Sequence, residues 1–154
     1  MPAPGEHSLT TLLRSLKTTI SSQTFIFLTI PHASFEKSIK EVPISKIQML
    51  FHEQEGTTLI LDTSTANQYF PPDQYEYTFE CRMVTLDVHS SLEAVGFLKV
   101  ISERLTREGI TTNPVAGFYH DHLFLPVDKV DEAVRCLEEL REEALKAETW
   151  STCR

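Results

Sequence analysis

The stretch Leu86-Asp87-Val88-His89-Ser90-Ser91-Leu92-Glu93-Ala94-Val95-Gly96-Phe97-Leu98 decides how this chain folds. Before it, Val84, Leu86 and Val88 alternate with Met83, Thr85 and Asp87, the period-two pattern of a strand with one core-facing side, predicted over about residues 78 to 88. After it, Phe97, Val100, Ile101 and Leu105 form the buried stripe of a helix predicted over about 96 to 108, closed by Gly109 at the C′ position. The intervening residues are a short polar bend. Further out, Ile110 to Phe118 and Leu123 to Val127 read as two strands joined by a tight turn through His120 and Asp121. Asp128 is expected to cap a final helix that buries Val130, Ala133, Val134, Leu137, Leu140 and Ala144. Strand, helix, strand, strand, helix is the order of a ferredoxin-like half-sheet, and right-handed crossovers leave few other topologies.

The preceding half reads as a degenerate copy. Leu9, Leu12, Leu13, Leu16 and Ile20 recur at helical spacing behind Ser8, which predicts an amphipathic helix over 8 to 20. Thr24 to Ile30 has the composition of a buried strand stopped by Pro31, and residues 31 to 44 read as a loop. Strands are expected at 46 to 53 and 57 to 62, punctuated by Gly56, with a short helix over 63 to 70 before Pro71-Pro72. The fold class is therefore α+β: two ferredoxin-like α/β halves with antiparallel sheets backed by helices. The expected division is 1–75, 76–147 and a tail, 148–154. No identity between the halves supports a repeat, so the pairing rests on element order.

Composition removes several functional classes. The chain has 154 residues, 41% apolar and 23% charged, in the range of ordinary globular proteins. A chain this long buries roughly 70% of its unfolded surface, enough for a core without disulfides or a structural metal, so no cofactor is called for. With 14 Lys+Arg against 22 Asp+Glu, the net charge of −8 disfavours nucleic acid as a partner. Cys81, Cys136 and Cys153 form no CxxC pair, and the simplest reading is a reducing compartment. Cys81 in a strand and Cys136 on a helix are expected to be small core hydrophobes, with Cys153 exposed. The start shows no basic segment followed by an apolar one, and no run is long enough to span a bilayer. The expectation is an unprocessed cytoplasmic protein without membrane contact.

Val95-Gly96-Phe97-Leu98, continuing through a helix to Gly109-Ile110, resembles the ACT-domain pattern, in which a glycine opens the first helix and a Gly-Ile pair starts the second strand. The runs LDVHSSLEAVGFL (86–98), NPVAGFYHDHLFLPVD (113–128) and EQEGTTLIL (53–61) resemble a family of small tandem-ACT proteins of unassigned function, over most of residues 9 to 140. The resemblance implies a free-standing regulatory protein that is not an enzyme and binds an amino acid or another small metabolite. It leaves room for a homodimer. Val95 stands where many ACT domains have proline, and no strand follows the last helix, so the fourth strand of the second half comes from the first half or is missing.

In such a topology the end of the first strand and the turn between the second and third strands share one rim. That rim collects His89 and the His120-Asp121-His122 turn, together with the bend Ser90, Ser91, Leu92, Glu93, Ala94 and Val95, which leads into a helix starting near Gly96. A helix start presents unpaired N–H groups and partial positive charge, suited to the carboxylate of an amino acid. Ser90, Ser91 and Glu93 would add hydroxyls and a carboxylate for the ligand ammonium, and Gly96 would admit a ligand close to the backbone. Asn113 either places an amide at the pocket wall or, with Pro114, forms a bulge on an edge strand. Other readings stand beside this one. The serines and Glu93 would merely cap the helix; His89, His120 and His122 would hold the metal of a small hydrolase or lyase; or the sheet would be an interaction module. His7, His32 and His52 are isolated, the acidic run from Glu138 to Glu143 reads as a solvated helix face, and Trp150 is a docking anchor or disordered.

Overall fold

In a computed structural model the described residues are 5–75 and 77–149, and they form two compact units. One unit spans residues 22–82; the other joins the chain up to residue 21 with the chain from 83 onward. Trp150 and Cys153 lie outside the described residues.

The 22–82 unit contains most of β1 (Thr18–Ile30), then α2 (His32–Ile39), β2 (Ile47–His52), β3 (Thr57–Asp62), α3 (Thr63–Tyr69) and the first part of β4 (Tyr77–Leu86). Its strands neighbour one another in the order β2-β3-β1-β4, the ferredoxin-like arrangement. β3 pairs antiparallel with β1 from Asp62 opposite Phe25 to Thr57 opposite Ile30, and with β2 on its other side. Ile26, Leu28 and Ile30 of β1 alternate inward against Leu59, Leu61, Ala66 and Phe70 to make this unit's core. Residues 31 to 44, expected to be a loop, contain α2. Pro31 leads into this helix, and Phe35 and Ile39, one turn apart, pack against the core. The helix buries no residue fully, which left its periodicity too faint to recognise.

The other unit has α1 (Leu9–Ser15), the start of β1, the end of β4, α4 (Phe97–Arg107), β5 (Asn113–Ala116), β6 (Asp121–Pro126) and α5 (Val130–Thr149). Its strand order is β1-β4-β6-β5. The fourth strand missing after the last helix is thus supplied by residues 18–21. At this end Asp87 N–H donates to the Lys17 carbonyl at 2.8 Å, and Thr19 Oγ1 donates to the Asp87 carboxylate at 2.5 Å. The expected helix over 8 to 20 therefore stops at Ser15. Ser8 caps it by accepting from Thr11 N–H at 3.3 Å, and the β-branched run Thr18-Thr19-Ile20 goes into the strand. Leu12 and Leu16 still reach the core, where they meet Val84, Leu86, Phe97, Ile101, Leu105, Leu123, Leu125 and Leu137.

α4 ends just before Gly109, as the sequence predicts. Asp128, expected to cap the last helix, sits within a one-turn 3-10 segment, Val127–Lys129, and α5 begins two residues later at Val130. The Glu138–Glu143 face is wet, with Glu139 and Glu143 each bonded to Arg104 at 2.9 Å. No helix among the described residues is long and apolar enough to cross a membrane.

Two buried groups give direct tests. Asp62 caps α3. Burial works against its charge, but bonds from Ser64 Oγ at 2.5 Å, Thr65 Oγ1 at 2.6 Å and Thr65 N–H at 3.0 Å, with Lys46 nearby, hold its pKa below the ordinary 3.8. Stabilisation from a carboxylate so depressed is complete above pH 3.8 and is lost as pH falls through the lower folded value. Asp62→Ala should cost about 1 kcal/mol at neutral pH in urea melts, and the deficit should shrink in acid; an equal deficit at both would reject this account. Cys81 is fully buried and its thiol is pushed up to about 12, first by burial and then by Glu80. In a Cys136→Ser, Cys153→Ser background it should resist a disulfide reagent at mildly alkaline pH until denaturant is added.

Candidate functional site

Beyond β4 the backbone leaves the sheet through two tight turns, with Val88 N–H donating to the Leu86 carbonyl at 2.8 Å and Ser90 N–H to the Val88 carbonyl at 3.0 Å. The bend then closes locally: Glu93 N–H donates to Ser91 Oγ at 3.2 Å, and Ala94 N–H to the Ser91 carbonyl at 2.9 Å. Glu6 runs alongside as a parallel bridge to Ser90, its N–H on the His89 carbonyl and its carbonyl accepting from Ser91 N–H. Gly96 is the N-cap of α4 at φ 90°, a left-handed conformation that disfavours any side chain. A glycine cap brings no side-chain acceptor. The first turn of α4 therefore starts without a side-chain cap, while the Gly96 carbonyl takes the first helical bond, from Val100 at 3.0 Å.

A cavity of about 150 Å³ opens at this helix start. The bend contributes Ser90, Ser91, Leu92, Ala94 and Gly96; the first turn of α4 contributes Phe97, Leu98 and Lys99; β5 contributes Ala116 and β6 Asp121. Asp121 is 6% exposed, and its carboxylate accepts a bond from the hydroxyl of Ser90 at 2.9 Å. This bond ties the bend to β6. Ser90 and Ser91 are thus occupied within the bend and do not cap α4.

Of the twelve residues expected at the site, Ser90, Ser91, Leu92, Ala94, Gly96 and Asp121 line the cavity. Val95 is 86% exposed and Glu93 also faces solvent. His89 lies at the rim with its ring 5.4 Å from that of Tyr119. Asn113 is exposed on β5, the edge strand, and its pairing with β6 runs unbroken from Asn113 opposite Phe124 to Ala116 opposite Asp121, so it forms neither a pocket wall nor a bulge. His122 follows Asp121 along a strand and faces the other way. Its Nδ1 lies 2.9 Å from Thr85 Oγ1, and burial, then the neighbouring His120, lowers its pKa below the ordinary 6.5. His120 does not line the cavity either. Among the described residues no three His, Cys, Asp or Glu side chains come together as metal ligands, and His122 turned toward Thr85 is the geometric reason.

The residues that sequence reasoning missed are Phe97, Leu98, Lys99 and Ala116. A signal for Ala116 existed: with Gly117 to His120 as the turn, antiparallel pairing sets Ala116 opposite Asp121 on the same face, and a small side chain there leaves room above the carboxylate. Chemically, the cavity borders the start of a helix and a buried carboxylate, a pairing suited to a ligand carrying both charges.

Profiles of the ACT domain match residues 4–82 and 78–139. A Vibrio cholerae protein of unknown function, described as a possible transport protein, is 32% identical, with a TM-score of 0.69 over 86% of this chain and 95% of that one. Aspartokinase alpha and beta subunits share the fold at 11% identity and a TM-score of 0.65, over 82% of this chain and 98% of that one. The regulatory subunit of aspartate kinase from Thermus thermophilus does so at 9% identity and 0.59, over 80% and 95%. No curated protein matches the chain. With one profile spanning half of the sequence and a second covering the bend, α4 and the Asp121 hairpin, the chain belongs to the ACT-domain family.

Proposed function

We propose that this protein is a regulatory amino-acid-binding module, not an enzyme, and that its ligand is a small zwitterionic amino acid held at the start of α4. The observation that carries this reading is one cavity onto which both a helix start without a side-chain cap and the buried Asp121 carboxylate open. The ligand carboxylate sits against the first-turn amides of α4. Its ammonium lies against Asp121, which Ser90 orients. A volume of about 150 Å³ is below the ordinary range for drug-sized ligands, so it favours glycine, alanine or serine over aromatic amino acids.

Binding rather than catalysis fits the titratable groups. The Ser90 hydroxyl is given to a carboxylate, and burial keeps the Cys81 and Cys136 thiols protonated. Regulation then works by population shift: the ligand stabilises the arrangement in which bend, β6 and helix start are closed together, and a partner reads that state. The two free, buried cysteines suit a reducing cytoplasmic setting.

A thermal-shift screen of the proteinogenic amino acids tests the proposal. A ligand at 100 times its Kd adds about 2.7 kcal/mol, and a protein of this size gains roughly 2–4 °C per kcal/mol. Glycine, alanine or serine should give the largest shift, and propionate, which lacks the ammonium, none. Asp121→Asn keeps an acceptor for Ser90 while removing the charge, and should weaken binding about ten-fold or more. A flat screen overturns the reading, as does an Asp121→Asn protein that responds like the wild type.

A further inference from the structure

The 22–82 unit carries a larger groove, about 890 Å³, that the amino-acid reading does not use. Its floor is Phe27 to Thr29 of β1. One wall is formed by Glu53 and Thr58 of the β2–β3 hairpin, the other by Pro72, Tyr75, Tyr77 and Thr78. Among the described residues the lining holds three aromatic rings and one carboxylate, and no lysine or arginine.

Glu53 is held at its backbone by two bonds and at its carboxylate by one. Glu53 N–H donates to the Gly56 carbonyl at 2.8 Å, its own carbonyl lies 2.9 Å from His32 Nε2, and Thr58 Oγ1 donates to its carboxylate. The hairpin carrying it is pressed onto β1, since a Cβ at Gly56 would sit 2.8 Å from the Ile30 carbonyl oxygen. The aromatic wall is equally constrained: Tyr75 OH lies 3.0 Å from Ser38 Oγ, and its ring packs edge-on against Phe70 at 5.2 Å.

β4 is distorted beside this wall. Phe79 has φ 56°, an outlier for an aromatic residue, and its ring meets Phe27 at 5.9 Å. Tyr77 and Thr78, the two residues before Phe79, both line the groove. Strain of this kind, kept where it shapes a cavity, is a mark of binding sites.

We propose that this groove is a second ligand site, for a small organic cation with an apolar body, such as a quaternary or aryl-substituted ammonium. Aromatic rings attract a cation through their negative faces, and the fixed Glu53 carboxylate supplies the opposite charge while the apolar body lies on Phe27 and Pro72. The chain's net charge of −8 favours approach of a cation over that of an anion.

The test uses the full chain, titrated by calorimetry with choline and with its uncharged isostere 3,3-dimethyl-1-butanol. Choline should bind about ten-fold or more tightly than the isostere, and Glu53→Gln, at an exposed position whose thermal stability is checked in parallel, should cut that preference several-fold. Tyr75→Leu should weaken choline binding with Glu53 intact, and Asp121→Asn should leave it unchanged, which separates this site from the amino-acid cavity. No choline binding up to about 50 mM, well past the millimolar range, overturns the proposal. So does equal binding of the isostere, or an undiminished preference in Glu53→Gln.

Discussion

The Ser90 hydroxyl reaches across 2.9 Å to the Asp121 carboxylate, and the functional geometry of the protein depends on that bond. Asp121 is almost wholly buried, and a buried carboxylate without a donor costs several kcal/mol, so the bond from Ser90 ties the bend after β4 to β6. Gly96 turns through a positive φ to start α4, and the first turn of the helix lines the same small space as Asp121. The cavity follows from one polar contact and one glycine.

Much of the fold was legible because the strong signals were local. The alternation through Val84, Leu86 and Val88, the stripe of Phe97, Ile101 and Leu105, and the punctuation by Gly56 all report which face is buried, and burial follows the same pattern. The misreadings have physical causes. Leucines at helical spacing continue to Leu16, but Thr18 to Ile20 are taken by a strand whose partner lies about seventy residues away, and no local pattern announces such a partner. α2 escaped notice because Phe35 and Ile39 alone touch the core.

The site was legible as a place more than as a set of side chains. The bend and the hairpin meet as expected, since topology brings strand ends to one rim. Which residues of a strand face the cavity depends on register, and a period of two separates Asp121 from His120 and His122. The three histidines were grouped on a shared rim, with His120 and His122 expected on one face, but His122 lies against Thr85 and the described residues form no metal-ligating cluster.

β1 and β4 each divide between the two units, so the 22–82 unit is one continuous piece of chain while the other is assembled from two separate pieces. The unit that holds the cavity at the start of α4 can complete its sheet only when residues 18–21 meet residues 83–86, and its edge therefore waits until everything between has been synthesised. Loop-closure entropy makes this a late contact on the folding path. The early-emerging segment must stay uncommitted while the ribosome is still extending the chain, and its threonines and serines, Thr18, Thr19, Ser21 and Ser22, suit a stretch that has to remain wet and unaggregated until its partner arrives.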